Sequence, residues 1–184
     1  INMAQFGAYT DRCRYICVAT STTAPFTWPP AATKFPGCQE IMTKPEDVPP
    51  SDRAPHYTPT KRSAKGSGDP FRAKKIGEVH RGGNNSSDKS LHNRLYSPDH
   101  PCPTITGSYS WSGNKGSQWV CDSIGPRRWA LLEECKIHNY DSTAIAFLHN
   151  HVSKEAAMKY VARGLPVAPL SKIYHGLLKC LQDD

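Results

Sequence analysis

Proline constrains this chain more than any other residue type. Thirteen of its 16 prolines lie before Thr104. Proline fixes φ and lacks a backbone N–H, so it interrupts helices and central strands. The runs TWPPAATKFPGCQ and DVPPSDRAPHYTPT are therefore predicted to be extended or polyproline-like. We expect residues 1–90 to form a long extended arm and residues 91–184 to form a compact domain.

The positive charge is concentrated in the same arm. The formal net charge is +7, and residues 51–100 contain ten Lys/Arg against five Asp/Glu. A basic segment rich in Pro, Gly and Ser buries too little apolar surface to fold alone. It is expected to lie on an acidic protein, an anionic lipid surface or RNA, or to be a solvated linker. No stretch approaches the ~18 apolar residues of a membrane-spanning helix.

The second half of the chain carries strand and helix signals. Strands are predicted at NRLYSP (93–98), SQWVCDS (117–123) and AIAFLHNHV (144–152), and RRWALLEEC (127–135) is a short helix or turn. These elements, with the two helices described next, predict an α+β domain. Its small antiparallel sheet carries one or two helices on one face.

The clearest helix signal is VSKEAAMKYVARG. Ser153 is a favoured N-cap and Gly164 a favoured residue after the C-terminus, while Ala157, Tyr160 and Val161 form an apolar stripe. A last amphipathic helix is predicted at SKIYHGLLKCLQ.

The seven cysteines show no metal-binding spacing. They lack any C-x-x-C pair, which argues against a zinc ribbon or an iron–sulfur cluster. Cys13 and Cys17 are the best disulfide candidate, and the set as a whole is interpreted as reduced thiols in a reducing compartment.

The histidines suggest two alternative kinds of chemistry. On a strand, His149 and His151 would share one face and could chelate a metal, and His100 and Cys102 are likewise two apart. No further ligand stands at a standard spacing, so no metal site, cofactor or catalytic residue is assigned. A small enzyme with a Cys/His nucleophile pair stays open, because such partners meet in space rather than in sequence.

The run QWVCDSIGPRRW (118–129) places two tryptophans around a Gly-Pro break. We interpret it as strand, turn and anchor, with the tryptophans in the core or in an interface and the arginines contacting partner carboxylates. The predicted partner-interface residues are Trp119, Arg127, Arg128 and Trp129, together with Arg72, Lys74 and Lys75 of the arm.

Residues 94–167 resemble one family, the accessory subunit of mitochondrial respiratory complex I called NADH dehydrogenase iron-sulfur protein 4. The matching pieces, in the order and nearly the spacing of the family, are RLYSP, the Ser112-Gly113 loop, Trp119, Arg128 with Trp129, Asp141-Ser142 and SKEAAMKYVARG. The family has a strand running into that last helix. Its Asn-Pro-Leu-x-Gly-Trp run is replaced here by ALLEEC, and its basic C-terminal tail by a helix.

The resemblance implies a non-catalytic protein that clamps the matrix-facing arm of complex I and its NADH-oxidising module. It implies no cofactor, no nucleic acid and no transmembrane segment. The protein would be peripheral to the mitochondrial inner membrane, on its matrix side, with a presequence removed before Ile1. The alternative is a lineage-specific mitochondrial ribosomal protein that lays its basic arm on RNA; the small Cys/His enzyme is the second alternative.

Overall fold

The structure, a computed structural model, describes residues 1–21, 23–54, 56–59, 69–79, 93–105 and 118–182. The fold contains both strands and helices, which confirms the predicted α+β class. The strands are β1 Thr10–Asp11, β2 Tyr57–Pro59, β3 Lys75–Val79, β4 Arg94–Tyr96, β5 Cys102–Pro103, β6 Trp119–Cys121 and β7 Pro126–Arg128. The helices are α1 Leu131–Ile137, α2 Ser142–His151, α3 Lys154–Arg163 and α4 Val167–Gln182.

In the described part of the chain, the main sheet has the order β2-β3-β4-β6-β7. It is mixed rather than antiparallel throughout, because β4 and β6 pair in parallel, with Leu95 opposite Trp119. Parallel neighbours need a crossover, and the chain between these two strands is long enough to provide one. Strands β1 and β5 form a separate parallel pair.

Residues on both sides of the predicted boundary at residue 90 share one sheet and one buried cluster. The arm contributes strands β2 and β3 to the main sheet. Its Phe35, Cys38 and Ile41 belong to the same buried cluster as Trp129 and Met158. Phe35, Cys38 and Ile41 recur every third residue, but Pro36 and Gly37 interrupt the stretch and it was predicted to be extended, so their burial was missed. The described part of the arm is therefore not a separate unit: it covers and completes the core.

Helix α3 is confirmed with its N-cap, since the Ser153 hydroxyl accepts a 3.3 Å hydrogen bond from Ala156 N. Its buried face includes Ala157 and Val161, as predicted, but Tyr160 is 65% exposed. Gly164 ends the helix with φ −63° rather than in the left-handed conformation. The predicted last helix is also present, as α4.

The predicted strand at 144–152 is wrong, because these residues lie almost entirely in α2. The Asp141 carboxylate caps this helix by accepting a 2.7 Å hydrogen bond from Ala144 N. A nine-residue run that mixes apolar and polar side chains fits either period, and here the cap and the helix-forming alanines prevail. The strand that the family resemblance places before α3 is accordingly a helix in this protein.

The Ser112-Gly113 loop and the basic stretches 61–68 and 81–90 lie outside the described residues. Within the ranges that are described, no helix combines the length and apolarity needed to cross a membrane.

Candidate functional site

The two tryptophans flank a tight hairpin: Trp119 is the first residue of β6, and Trp129 directly follows β7. The Asp122 carboxylate accepts hydrogen bonds from Ile124 N at 2.9 Å and Gly125 N at 3.0 Å, which closes the turn. Gly125 has φ +145°, a conformation that side chains disfavour, so glycine is needed there. The Gly-Pro break therefore marks a turn, as predicted, and a strand resumes directly after it.

Arg127 lies at the centre of a buried ionic network. Its guanidinium donates two hydrogen bonds to Glu133, of 2.8 and 2.7 Å, and a third to Asp122 at 3.0 Å. Glu133 also accepts from Ala130 N at 2.7 Å, and Arg53 of the arm pairs with Asp122 at 3.2 Å. Burial alone would lower the pKa of Arg127, but the contact with Glu133 outweighs it and raises that pKa. The network joins the hairpin, α1 and the arm.

This network corrects the predicted partner interface. Arg127 is 0% exposed, Trp119 3% and Trp129 4%, so none of the three presents a side chain to a partner. Arg128 is half-buried, with its guanidinium 5.1 Å from the Trp119 ring centre. A cation over an aromatic face is stabilising within the fold. These residues hold the protein's own strands and helices together.

The basic residues predicted for the arm are placed mainly against carboxylates of the same chain. Arg72 is exposed and pairs with Asp11 at 3.2 Å and Asp69 at 3.7 Å. Lys75 pairs with Glu78. Lys74 is exposed. These internal pairs reduce the positive charge that the arm can offer to RNA phosphates.

The histidine pairs do not converge on a metal. On α2, successive residues are rotated by about 100°, so His149 and His151 point about 200° apart rather than sharing a face. The His151 ring lies 5.1 Å from the Phe147 ring instead. His100 contacts the Arg72 carbonyl oxygen at 3.1 Å. Among the described residues, no group of three or more His, Cys, Asp or Glu could hold a metal ion.

The buried thiols are poor nucleophiles. Burial raises the pKa of Cys38 to about 12 and that of Cys135 to about 11. It also raises the pKa of Cys121, a half-buried thiol. Cys121 lines a cavity of about 520 Å³, and no histidine is among the described residues around that cavity. A thiol needs a lowered pKa or a neighbouring base to act as a nucleophile at neutral pH.

The structure reveals a candidate site that the sequence interpretation missed, on helix α2. Five consecutive residues, 144–148, are apolar, yet none of the ten described residues of α2 is buried. Phe147 is 59% exposed. A soluble helix normally buries its apolar stripe. The sequence predicts a strand for these residues. An exposed apolar helix was therefore not expected there.

The helical region is also strongly basic. Residues 142–182 contain five Lys or Arg and a single carboxylate, Glu155. Lys159 and Arg163 are exposed on α3 beside Tyr160. The exposed side of the helices therefore combines aromatic side chains with positive charge, a composition typical of surfaces that bind acidic macromolecules.

The fold and the site define a small α+β protein with an exposed, apolar and basic helical surface. Comparisons with models of protein families and with curated proteins gave no match to this chain.

Proposed function

We propose that this protein is a non-catalytic accessory subunit of mitochondrial NADH:ubiquinone oxidoreductase that stabilises the peripheral arm and its NADH-oxidising module. The observation that carries the proposal is helix α2, in which no described residue is fully buried and Phe147 is exposed. An exposed apolar patch marks a contact with another protein, a membrane or a ligand, and a subunit that stabilises an assembly requires the first of these. That the assembly is complex I is inferred from the resemblance of residues 94–167 to the accessory-subunit family.

In this proposal the protein attaches to the assembly through α2 rather than through the hairpin that carries Trp129. The double substitution Trp129→Ala with Arg128→Ala would disturb the protein's own packing, since Trp129 is buried. Phe147 is the better probe of attachment because its side chain is exposed and contributes to no buried cluster among the described residues.

The ribosomal alternative is favoured by one observation, the excess of Lys and Arg in α3 and α4. The arm, which was expected to lie on RNA, instead pairs Arg72 and Lys75 with its own carboxylates. We therefore keep the complex I subunit as the proposal and the ribosomal protein as its competitor.

Sedimentation of the native protein tests the proposal. In a sucrose gradient of detergent-solubilised mitochondrial membranes, we expect it to migrate with NADH dehydrogenase activity. Its depletion should lower NADH:ubiquinone electron transfer through loss of the NADH-oxidising module, while that module retains NADH oxidation by an artificial acceptor. Migration with a ribosomal subunit, away from NADH dehydrogenase activity, would overturn the proposal.

A further inference from the structure

Helix α4 carries an apolar stripe that the rest of the described chain does not bury. Because successive helical residues are rotated by about 100°, the side chains of this stripe lie within about 80° of one another. Tyr174 is 58% exposed, Leu181 49% and Val167 42%. Leu170 and Leu178 are half-buried. We call these five residues the α4 stripe.

The arm packs on a different side of the same helix. The Cys180 thiol donates a hydrogen bond to the Ala24 carbonyl oxygen at 3.1 Å. A Cβ atom at Gly176 would lie 3.2 Å from the Thr27 carbonyl oxygen, so the arm also approaches the helix closely there. Both helix positions lie about 120–160° around the helix axis from Tyr174. The described part of the arm therefore covers the side of α4 that faces away from the α4 stripe.

The spacing of the α4 stripe is symmetric about Tyr174. Val167 and Leu181 lie seven residues before and after it, and Leu170 and Leu178 lie four residues before and after it. If a second α4 lies antiparallel on a two-fold axis at Tyr174, Val167 meets Leu181 and Leu170 meets Leu178. A two-fold contact between identical chains requires such a self-complementary arrangement. A membrane or an unrelated helix imposes no such symmetry, so the spacing favours a second copy of this chain.

The charges of α4 are compatible with this pairing. Its charged residues are Lys172 and Lys179, which lie about 140–160° around the helix from Tyr174. Ser171 and Gln182, beside the stripe, are uncharged. Like charges across an interface weaken binding. Two paired α4 stripes bring no charged side chains of α4 together, although each chain has a formal net charge of +7.

We propose that the α4 stripe binds the α4 stripe of a second copy of this chain, antiparallel about a two-fold axis at Tyr174. This inference does not rest on the proposed function, which assigns α2 to the contact with the assembly. One pair of helix faces is smaller than a standard protein interface, so we expect weak association in the micromolar range.

Sedimentation equilibrium of the purified full chain tests the dimer. We expect a monomer–dimer equilibrium, and Tyr174→Glu should raise its dissociation constant by about tenfold or more, because it places two carboxylates on the symmetry axis. Lys172→Gln is the matched control: it lowers the net charge by the same amount on the far side of the helix and should leave the dissociation constant unchanged. A chain that stays monomeric at submillimolar concentration, or equal constants for Tyr174→Glu and the unmodified protein, would overturn the inference.

A membrane as the occupant gives a different result. The purified chain would remain monomeric and bind vesicles that contain phosphatidylserine, and Tyr174→Glu would abolish that binding. This outcome would also overturn the inference. Because Tyr174 is exposed, the thermal midpoint of the Tyr174→Glu variant should equal that of the unmodified chain, which separates lost association from lost folding.

Cross-linking with a short bis-maleimide tests the antiparallel orientation. The exposed Cys13 and Cys17 are first replaced by serine, and this parent protein is the control without a cross-link. Tyr174→Cys should then cross-link to its own copy. Val167→Cys should not, because its two copies would lie about 21 Å apart along the helices, but it should cross-link to Leu181→Cys in a mixture of the two variants. Cross-linking of Val167→Cys to itself, and not to Leu181→Cys, would refute the antiparallel pairing.

Discussion

His138 accepts a hydrogen bond from Arg12 across 3.4 Å, although the two residues are 126 positions apart. Arg12 also donates to the Ala162 carbonyl at 3.0 Å, so it connects the N-terminal segment with α1 and α3. The other ring nitrogen of His138, Nδ1, donates to the Glu134 carbonyl at 3.1 Å. These partners require the neutral imidazole with its proton on Nδ1. Because His138 is completely buried beside a cation, its pKa falls to about 4.

The first prediction is a loss of stability in mild acid. The unfolded chain protonates His138 near pH 6.5, whereas the folded chain does so near 4. Between these values the unfolded state binds more protons, so the free energy of unfolding decreases as the pH falls, by roughly 3 kcal/mol at pH 4. Urea unfolding from pH 7 to 4 measures the decrease. His138→Gln should flatten it in that interval; an identical slope in the variant would show that other groups cause it.

The second prediction concerns the buried pair of Arg127 and Glu133. Glu133→Gln removes the charge of one partner and leaves the guanidinium with Asp122 alone, at a cost of about 3 kcal/mol in unfolding free energy. Glu46→Gln, at an exposed position, should change it by less than about 0.5 kcal/mol. Chemical denaturation of both variants makes the comparison. Similar midpoints for the two would mean that the network contributes little.

The third prediction concerns the cap of α3. Ser153→Ala removes the acceptor for Ala156 N and should cost about 1 kcal/mol. Ala157→Asp should cost more, because it places a carboxylate at a position that is 0% exposed. Ser142→Ala is the control, since Asp141 supplies the cap of α2. Thermal unfolding gives all three values, and an unchanged midpoint for both α3 variants would exclude packing of this helix against the core.

The fourth prediction separates the thiols by reactivity. Cys13 and Cys17 are exposed, whereas Cys38, Cys102 and Cys135 are buried with raised pKa values. Brief treatment of the native protein with iodoacetamide should label the first two and spare the other three. Peptide mass spectrometry identifies the labelled sites, and urea should expose all of them. Labelling of Cys38 at the rate of Cys13 would show that its site opens readily.

Capping residues and strand-forming residue types predicted the elements whose formation depends on neighbouring residues in the sequence. Ser153 caps α3, and the strands around Tyr96 and Trp119 lie where β-forming residues concentrate. The prediction failed at 144–152, because apolar and polar residues there fit two periods, and the Asp141 cap and the helix-forming alanines decided for a helix. It also failed for the arm, where Phe35 and Cys38 are buried although Pro36 and Gly37 between them indicated an extended segment. The exposure of Phe147 escaped it, since exposure depends on which helix faces the rest of the chain covers.

By itself, the sequence determined features that a few adjacent residues control. Examples are the turn at Gly125 and the helix that follows Ser153. The run DVPPSDRAPHYTPT, predicted to be extended, instead includes a 3-10 helix at Pro50–Asp52. The tertiary structure alone decided that Arg127 is an internal ion-pair partner and that Phe147 is exposed. The physical reason is that burial depends on neighbours supplied by distant parts of the chain, as Arg53 meets Asp122 and Arg12 meets His138. A side chain's charge and hydrophobicity are properties of its residue type, but its surroundings are a property of the fold.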